Sequence, residues 1–569
     1  MALLVASCGE RGEAPPPAAP PSASPAALDA APTAEPRYRT LELADPRRAE
    51  VALLVQGEAQ VAWFARGKGT LAVTIELDDG SSATESIELT GEARAPAVHP
   101  LPGRGARALR LLAAAPAGVT FESLRVKDEG EVLPPAGALA GALRSRSLAI
   151  VLCDALHAAH LSCYGSANAT SPHLDQLAQQ GVRAAQLRSQ TSWTIPSVAT
   201  LFTGVEQETH GIRDVGHVLD PELPTLAERF RDAGYRTAAF LQNKLVTREA
   251  GLARGFESWN EYPGASRGLL MPDLAKFLAQ PPPNDPRPLF LYVHLLPPHA
   301  PYAPPADFAG RFGSPQGPAD GSVEFLGRLA QRSPHANDPH VQTMRALYDN
   351  HVAYGDALLG ETARLFFARG REPSALLFTS DHGEAFGQHD AVGHNLQVHD
   401  EMVHVPFVLV APNSPLPAGR VVDAPLWMPD LLPTVAELFA LPAADDPDTP
   451  APGRSFAGLL AADAASAAPR AQRLSARWVN GNATQRAIVW GRFKLVAPAG
   501  RRIAALYDLA ADPQEQHDVS AAHPLVAAAL RAELANWVAQ GVRSVAAEGF
   551  APDAALQREL EALGYTGDH

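Results

Sequence analysis

The segment TSWTIPSVATLFTG, residues 191–204, contains a threonine, Thr194, two residues before Pro196. Proline is tolerated in the first turn of a helix, so the segment predicts a helix that begins near Thr194 and runs through Leu201. Thr194 then lies beside the free N–H groups of the helix N-terminus, which favour an anionic group. Taken alone, the pattern is more typical of a threonine that merely caps the helix. The segments on either side favour a catalytic role for Thr194 instead.

Two apolar runs lead into acidic residues on either side of this segment. Residues 148–153 are followed by Asp154, and residues 375–378 lead into a Thr-Ser-Asp-His sequence that contains Asp381 and His382. Continuous apolar runs are typical of strands buried on both faces, so both acidic residues are expected at strand ends. In open α/β sheets the chemistry gathers at the carboxyl ends of the strands.

These side chains have the chemistry of a metal site. Two carboxylates and one imidazole suit a divalent cation such as Ca, Mg, Mn or Zn. We predict one divalent metal ion bound by Asp154, Asp381 and His382. The hydroxyl of Thr194 is a candidate fourth ligand, because metal coordination lowers the pKa of a hydroxyl and makes it a nucleophile.

Strand and helix patterns alternate from residue 146 to residue 472. Ser171 and Pro172 open one predicted helix, which Gly181 ends, and residues 223–234 repeat the pattern. Alternation of this kind predicts an α/β domain with a mostly parallel sheet sandwiched by helices. The further strands predicted are residues 237–241, 289–294, 375–378 and 405–410.

The residues before this domain have a different pattern. Residues 37–130 contain short β-like runs, such as 61–64 and 71–77, broken by Gly, Pro and Asp. This spacing predicts a β-sandwich-like domain, for which a structural role is favoured over carbohydrate binding. Residues 131–145 are rich in Pro, Gly and Ala and predict a linker.

After the α/β domain, residues 473–545 predict a small α+β subdomain. Residues 487–496 and 504–508 have the pattern of antiparallel strands, and residues 524–540 have the pattern of a helix. Residues 546–569 form a polar tail for which we predict no structure.

The N-terminus suggests export. Cys8 follows Val5-Ala6-Ser7, and a small-residue stretch that ends in Cys resembles a bacterial lipoprotein cleavage box, although no basic residue precedes it. The Ala-, Pro- and Ser-rich residues after Cys8 suit a flexible tether. We therefore predict that residues 1–36 are a truncated lipoprotein-type signal and tether, and that the protein is periplasmic or anchored through Cys8. The alternative is a disordered cytosolic N-terminus with a chance cysteine.

The composition argues against a nucleic-acid-binding, membrane-spanning or disulfide-rich protein. The net charge is −15, from 47 basic and 62 acidic residues, and no cluster of Lys and Arg suits nucleic acid. No run of about 18 or more apolar residues occurs, so contact with a membrane is expected only through a lipid anchor. Three cysteines are too few for a disulfide framework.

Six segments in order resemble the sulfatase branch of the alkaline phosphatase superfamily. They are DALHAAHLSCYG (154–165), TSPHLDQLAQQGV (170–182), TSWTIPSVATLFTG (191–204), LYVHLLPPHAPY (291–302), TSDHGEAFGQHDAVGH (379–394) and VPFVLVAP (405–412). The later GRFKLV and LYDLAADPQEQHDV resemble that family's small C-terminal subdomain. The resemblance implies an alkaline-phosphatase/sulfatase-like α/β fold and a hydrolase or transferase that acts on an anionic ester, either glycan or lipid-linked.

The resemblance also implies roles for individual residues. It assigns the metal ligands above and places Thr194 at the nucleophile position. His299 matches a histidine that contacts substrate near the leaving group, and His394 matches a Lys or His that contacts the transferred group. Further candidates for substrate binding are Asn243, Lys244 and His294.

Four positions depart from the family's pattern. Typical sulfatases have Cys or Ser at the position of Thr194 and convert it to formylglycine, and Thr is not a substrate for that conversion. An Arg is usual where Val198 stands, and a second Asp where Ala155 stands. Pro297 stands where many relatives have Asp. What remains is similar to single-metal relatives with a Thr nucleophile, such as the phosphoethanolamine transferases.

Three functions therefore compete. The first is a metal-dependent hydrolase or transferase in which Thr194 attacks a phosphate or sulfate ester, with phosphorus preferred because formylglycine is excluded. The second is a sulfatase that acts on sulfated glycans without formylglycine. The third is a catalytically degenerate binding protein, for which Ala155 and Val198 argue and the retained metal ligands argue against.

Overall fold

The computed structural model describes most of the chain from residue 37 onward. The described residues are 37–41, 48–56, 59–91, 97–100, 107–114, 119–128, 133–282, 284–332, 334–370, 373–394, 397–442, 453–461, 471–477, 484–498, 504–539 and 549–551, with residues 554, 557 and 558. The predicted signal and tether, with Cys8, lie outside them. In the part of the chain that is described, no helix is both long and apolar enough to cross a membrane.

The first seven strands form one antiparallel sheet. They are β1 (Arg37–Leu41), β2 (Arg48–Val55), β3 (Gln60–Leu77), β4 (Ser82–Gly91), β5 (Ala97–Pro100), β6 (Arg107–Ala114) and β7 (Val119–Asp128). The first half of β3 pairs with β5 and β7, and its second half pairs with β4 and β6. The two halves share β3, so they form one continuous sheet where a β-sandwich-like domain was predicted.

The runs 61–64 and 71–77 were predicted as separate strands, and this detail is wrong. Both belong to β3, because the intervening residues Ala65–Gly67 pair with β7, and Gly67–Thr70 pair with β4. Cross-strand hydrogen bonds outweigh the strand-breaking tendency of Gly67 and Gly69.

The central domain is built on an eight-stranded sheet. Its neighbouring strands follow the order β12-β11-β13-β8-β14-β18-β9-β19, and the first five are parallel. β18 runs antiparallel to both β14 and β9. The strands of this sheet are β8 (Ser147–Cys153), β9 (Val182–Ala184), β11 (Arg236–Leu241), β12 (Ser258–Glu261), β13 (Leu289–Leu295), β14 (Ser374–Ser380), β18 (Phe407–Val410) and β19 (Arg420–Val422). Two smaller sheets contain the remaining strands of the domain, one with β10 (Leu187–Arg188), β17 (His404–Val405) and β20 (Leu426–Trp427), and the other with β15 (Ala385–Phe386) and β16 (Val392–Gly393).

Helices cover both faces of this sheet, as predicted. The helices are α1 (Pro172–Gln180), α2 (Thr194–Thr203), α3 (Gln207–His210), α4 (Leu226–Asp232), α5 (Leu270–Ala279), α6 (Val323–Ala330), α7 (Pro339–Phe367), α8 (Asp400–Val403), α9 (Leu431–Phe439) and α10 (Pro524–Ala539). Along β8 the side chains alternate between two apolar cores. Ile150 packs in the core that includes α2, α4 and α9, and Val151 packs in the core that includes α1, α5 and α7. A strand buried on both faces explains the continuous apolar run.

The C-terminal sheet lies between two cores. Its antiparallel strands are β21 (Ala471–Arg477), β22 (Thr484–Trp490), β23 (Phe493–Ala497) and β24 (Ala505–Asp508). On one face Ile488 packs with Leu530 of α10 and with Leu54 of the N-terminal sheet. On the other face Val489 packs with Trp427 of the central domain. The predicted α+β pattern is found and contacts both preceding regions, but the run 487–496 is a hairpin of β22 and β23 and not one strand.

Residues of the predicted linker and of the polar tail pack against the central domain. Within the predicted linker, Leu139 and Leu143 are buried, and the N–H of Gly141 donates to the carbonyl oxygen of Glu437 in α9. In the predicted tail, the N–H of Phe550 donates to the carbonyl oxygen of Gly216. Leu139 and Leu143 belong to an apolar core of the central domain, and Phe550 packs against it.

Candidate functional site

Asp154 and Asp381 lie side by side at one edge of the central sheet. Each directly follows its strand, and the parallel pairing of β8 with β14 sets Cys153 opposite Ser380. Both carboxylates are completely buried. Parallel strands end at the same edge of a sheet, so two strand ends supply two acidic ligands to one place.

One oxygen of Asp154 is held by two donors. Oδ2 accepts hydrogen bonds from Nδ2 of Asn243, at 2.5 Å, and from Nε2 of His294, at 3.0 Å. The other oxygen, Oδ1, is buried and has no hydrogen-bond partner among the described residues. Asp154 therefore presents one free oxygen to the site.

The two oxygens of Asp381 differ in the same way as those of Asp154. Oδ1 accepts the N–H groups of Ala155, at 3.1 Å, and His382, at 3.0 Å. Oδ2 is buried, again with no hydrogen-bond partner in the described part of the chain. Ala155 has a φ of 56°, a left-handed conformation that is uncommon for residues other than glycine. This tight turn brings its N–H onto Asp381.

His382 turns one ring nitrogen toward both free oxygens. Its Nδ1 donates to the carbonyl oxygen of Gly383 at 2.9 Å. Its Nε2 lies 3.6 Å from Oδ1 of Asp154 and 3.5 Å from Oδ2 of Asp381. The hydrogen bond at Nδ1 therefore selects Nε2 as the nitrogen that can bind a metal.

The hydroxyl of Thr194 completes this group. Its Oγ1 lies 3.4 Å from Nε2 of His382. Thr194 is the first residue of α2, and Trp193 occupies the N-cap position. The capping role therefore does not apply to Thr194. Ser197 ties the start of the helix to the site, because its hydroxyl donates to the carbonyl oxygen of Asp381 at 2.5 Å.

The donor set fits a divalent cation. One ligand atom each from Asp154, Asp381 and His382 lie within 4.8 Å of one another. Two of these atoms are buried carboxylate oxygens with no hydrogen-bond partner among the described residues, which is costly unless a cation pairs with them.

The electrostatics of the three residues agree with this assignment. Burial and the charge of Asp154 raise the pKa of Asp381. Burial acts against the charged form of His382, but the charges of Asp381 and Asp154 outweigh it and raise its pKa. A bound cation would take the place of the proton between these groups and relieve the repulsion of the carboxylates.

The two other predicted histidines lie beside this centre. The ring of His394 is 4.3 Å from that of His382 and 5.0 Å from that of His299. Nδ1 of His299 donates to the carbonyl oxygen of Ala300 at 2.7 Å, so Nε2 is the nitrogen directed to other chemistry. Burial, with the charges of His382 and His299, lowers the pKa of His394 well below its ordinary value.

Glu384 is a site residue that the sequence analysis did not identify. It is buried, and its Oε1 lies 3.1 Å from Nδ1 of His394. Burial raises its pKa to about 7. Its place two residues after His382 in the Asp-His-Gly-Glu sequence was a signal that could have indicated it.

The comparisons with known proteins agree with this fold. Residues 147–441, just over half of the 569 residues, match the family described as Sulfatase. The chain belongs to the sulfatase family.

Curated relatives of this sulfatase-family chain include enzymes named for glycan substrates. The ulvan-active sulfatase of Formosa agariphila is 26% identical over 322 residues, which cover 51% of this chain and 61% of that protein. The Δ4,5-hexuronate-2-O-sulfatase of Bacteroides thetaiotaomicron is 23% identical over 358 residues, which cover 54% of this chain and 71% of that protein. The chain spans 61% and 64% of the first two curated relatives.

Several solved structures share the fold of this sulfatase-family chain. The phosphonate monoester hydrolase of Agrobacterium radiobacter superposes with a TM-score of 0.57 at 22% identity and covers 69% of this chain and 96% of its own. A 2-O GAG sulfatase superposes with a TM-score of 0.58 at 18% identity and covers 73% of this chain and 96% of its own. At these identities the likeness extends to the fold alone.

The remaining predicted site residues of this sulfatase-family chain lie around the metal ligands or in the loops beside them. Asn243 and His294 donate to Asp154, and their contact with substrate stays a prediction. Lys244 is half-buried in the loop beside Asn243. Val198, where an Arg is usual, is completely buried in the apolar core.

Proposed function

We propose that this member of the sulfatase family is a metal-dependent ester hydrolase whose nucleophile is Thr194. One observation carries the proposal. Oδ1 of Asp154, Oδ2 of Asp381 and Oγ1 of Thr194 all lie within 3.6 Å of Nε2 of His382. A degenerate binding protein would have no need of three ligands and a hydroxyl that converge in a buried site.

Thr194 attacks the central atom of the ester in the first step. A divalent cation held by Asp154, Asp381 and His382 would lower the pKa of the Thr194 hydroxyl and favour its alkoxide. A bond forms between Oγ1 of Thr194 and the sulfur or phosphorus, and the bond from that atom to the leaving oxygen breaks. Water then attacks the same atom and passes a proton to the histidine that protonated the leaving oxygen, and the bond to Oγ1 breaks and returns the Thr194 alkoxide.

The leaving oxygen needs a proton as it departs. His299 and His394 lie 5.0 Å apart, ring to ring, beside the metal ligands, and either can supply it. Burial lowers the pKa of His394 and favours its neutral form. Glu384 orients His394 through Nδ1.

Helix α2 adds a sequence-independent attraction for the anionic group. It spans ten residues, and its N-terminus begins at Thr194. The free N–H groups of that first turn favour negative charge that develops on the group under transfer. The buried Val198 supplies no cation there. Negative charge on the transferred group would therefore be stabilised by the helix N-terminus, the histidines and the bound cation.

The substrate we favour is a sulfate ester on a glycan. The names of the curated relatives, which include an ulvan-active sulfatase and a hexuronate-2-O-sulfatase, support this class. A phosphate or phosphonate ester is the second candidate, and Thr194 favours it. A simple hydroxyl would form a phospho-threonine of the kind implied by the resemblance to single-metal transferases.

Purified protein tests the proposal with four aryl esters: sulfate, phosphate, phosphodiester and phosphonate, each with and without added divalent metals. Thr194→Ala and Asp381→Ala are compared with Thr203→Ala. The control is matched, because Thr203 is in the same helix and its hydroxyl donates to the carbonyl oxygen of Ala199, four residues earlier in that helix, at 2.6 Å.

We expect metal-dependent turnover that Thr194→Ala and Asp381→Ala lower by at least about 10³-fold, while Thr203→Ala stays near the wild type. The best ester distinguishes sulfur from phosphorus. Equal rates for the wild type and Thr194→Ala on every ester would overturn Thr194 as the nucleophile.

Export through Cys8 is also a proposal. The small-residue stretch before Cys8 and the Pro- and Ala-rich stretch after it support a lipid anchor. Expression in a bacterium with a labelled fatty acid should label the wild type and not Cys8→Ser. Equal labelling of the two would contradict the proposal.

A further inference from the structure

The three residues Asp154, Asp381 and His382 each have a second polar side-chain atom, and each of those atoms is already hydrogen-bonded. Oδ2 of Asp154 accepts from Asn243 and His294, and Oδ1 of Asp381 accepts two backbone N–H groups. Nδ1 of His382 donates to a carbonyl oxygen. What is left is one donor atom per residue.

This arrangement makes both carboxylates monodentate. For Asp154 to bind a cation through both oxygens, Oδ2 would have to give up two hydrogen bonds in a completely buried place. The loss of buried hydrogen bonds to a charged group is costly. His294 is itself held, because its Nδ1 lies 3.0 Å from the hydroxyl of Tyr292.

The number and type of donors then discriminate between cations. Ca²⁺ takes about 6–8 oxygen ligands and often binds carboxylates through both oxygens. Mg²⁺ also prefers oxygen, and it keeps several waters. This site offers two single carboxylate oxygens, one hydroxyl and one imidazole nitrogen, a set that suits Zn²⁺ or Mn²⁺.

The distances between the ligand atoms fit Zn²⁺ or Mn²⁺, but they fit Ca²⁺ as well. The three oxygens lie 3.4–3.6 Å from Nε2 of His382. Bonds of about 2.0–2.2 Å to a tetrahedral centre place ligand atoms about 3.3–3.6 Å apart. The longer bonds of Ca²⁺ in an octahedral arrangement give a similar spacing, so the discrimination rests on donor number and type.

We propose that Asn243 and His294 are positioning residues that restrict Asp154 to one oxygen and so select a transition-metal dication, Mn²⁺ or Zn²⁺, over Ca²⁺ and Mg²⁺. The inference rests on the metal centre of the proposed function. It goes further in naming the class of metal and two residues that determine it.

The first test measures binding to the full-length wild type without any substrate. Metal is removed with a chelator, the four cations are added together at equal concentration, and bound metal per chain is measured after desalting. We expect Mn²⁺ or Zn²⁺ to be retained and to raise the unfolding temperature, and Ca²⁺ in about 100-fold excess not to displace it. Displacement by Ca²⁺ would overturn the proposal.

The second test concerns the positioning residues. In Asn243→Leu and His294→Leu, affinity for Mn²⁺ and Zn²⁺ should fall about 10–100-fold. The affinity for Ca²⁺ should fall less, because the released Oδ2 permits bidentate binding, so the ratio of the affinities changes. A role that is merely structural would lower the affinity for all four cations together and contradict the proposal.

Milder variants keep the test valid if those proteins do not fold. His294→Gln retains an N–H donor, and Tyr292→Phe removes only the group behind His294, so both should change the ratio in the same direction but less. His517→Leu is the control for surface binding of Zn²⁺, because its side chain is 81% exposed and it should bind as the wild type does.

The outcomes separate this inference from the proposed function. A protein that retains Mn²⁺ or Zn²⁺ but cleaves no ester leaves the metal class standing and overturns the hydrolase. A protein that cleaves esters with Ca²⁺ bound at the site does the reverse.

Discussion

His210 lies behind the first turn of α2 and is completely buried. Its Nε2 donates to the carbonyl oxygen of Pro196 at 3.2 Å, and its Nδ1 accepts the N–H of Ile212 at 3.1 Å. With one nitrogen donating and the other accepting, the ring has to be neutral. Burial lowers the pKa of His210 to about 3, which agrees with that pattern. The residue holds the turn that presents Thr194.

This arrangement predicts acid sensitivity in a defined pH range. The unfolded state takes up a proton on His210 near its ordinary pKa of about 6.5, whereas the folded state does not until a pH of about 3. The folded state therefore loses stability as the pH falls through this range. Between pH 8 and pH 5 we expect a loss of about 2 kcal/mol in the free energy of unfolding from this residue.

Urea unfolding at pH 8 and pH 5 measures this loss in the wild type and in His210→Asn. The variant is expected to be less stable at both values but to show a smaller decrease between them. An equal decrease in the two proteins would show that His210 does not contribute.

Helices α2 and α4 end in the same way, at a glycine with positive φ. Gly204 follows α2 with a φ of 70°, and Gly234 follows α4 with a φ of 86°. The surroundings differ. A Cβ on Gly204 would lie 3.1 Å from Cβ of Leu432, whereas one on Gly234 would have nothing within 4 Å. The end of the helix that carries Thr194 is therefore also a packing contact with α9.

Alanine at the two positions should have unequal effects. Gly234→Ala carries only the conformational cost of a left-handed alanine, about 1–2 kcal/mol. Gly204→Ala carries that cost and the displacement of Leu432, so the loss should be larger by about 1 kcal/mol or more. Thermal unfolding of the two variants tests this order, and equal losses would contradict it.

A buried charge network joins the central domain to the C-terminal sheet. Arg188 binds both carboxylate oxygens of Asp400, at 2.9 and 2.7 Å. Nζ of Lys494, on β23, lies 2.8 Å from Asp400 and 3.0 Å from Glu515. Burial opposes the ionisation of Asp400, but the charges of Arg188 and Lys494 keep its pKa well below the ordinary value. Nε2 of His389, five residues before His394, lies 2.9 Å from the carbonyl oxygen of Glu515 in this network.

Removal of Lys494 should therefore destabilise the whole molecule. Lys494→Met leaves Glu515 buried without its cation, and we expect a loss of about 3–5 kcal/mol in the free energy of unfolding. The surface variant Lys276→Met should change it by less than about 0.5 kcal/mol.

A double variant separates charge from packing. Adding Glu515→Gln to Lys494→Met removes the uncompensated charge, so the double variant should lose less than the sum of the single variants. Denaturant unfolding of all four proteins measures the coupling. Additive losses would show that the two residues do not act as a pair.

Much of the site was predictable because its signals are local. The apolar runs of β8 and β14, each ending in an acidic residue, indicated buried strands, and the structure sets Asp154 beside Asp381. Pro196 indicated the start of the helix, which begins at Thr194. The sequence also indicated Pro172 as the start of α1 and residues 407–410 as part of a strand, although Pro406 divides the run 405–410 between β17 and β18.

The sequence by itself determined the order of strands and helices and the residue types that lie at the strand ends. Periodicity, proline and glycine act over a few residues, so they are visible in the chain. Only the tertiary structure decided which second atoms of the ligands are engaged, that 61–77 lie in one strand, and that Lys494 reaches Asp400. Those outcomes depend on pairs such as Asn243 with Asp154, which lie 89 residues apart, and no local pattern records which distant side chain will satisfy a buried polar atom.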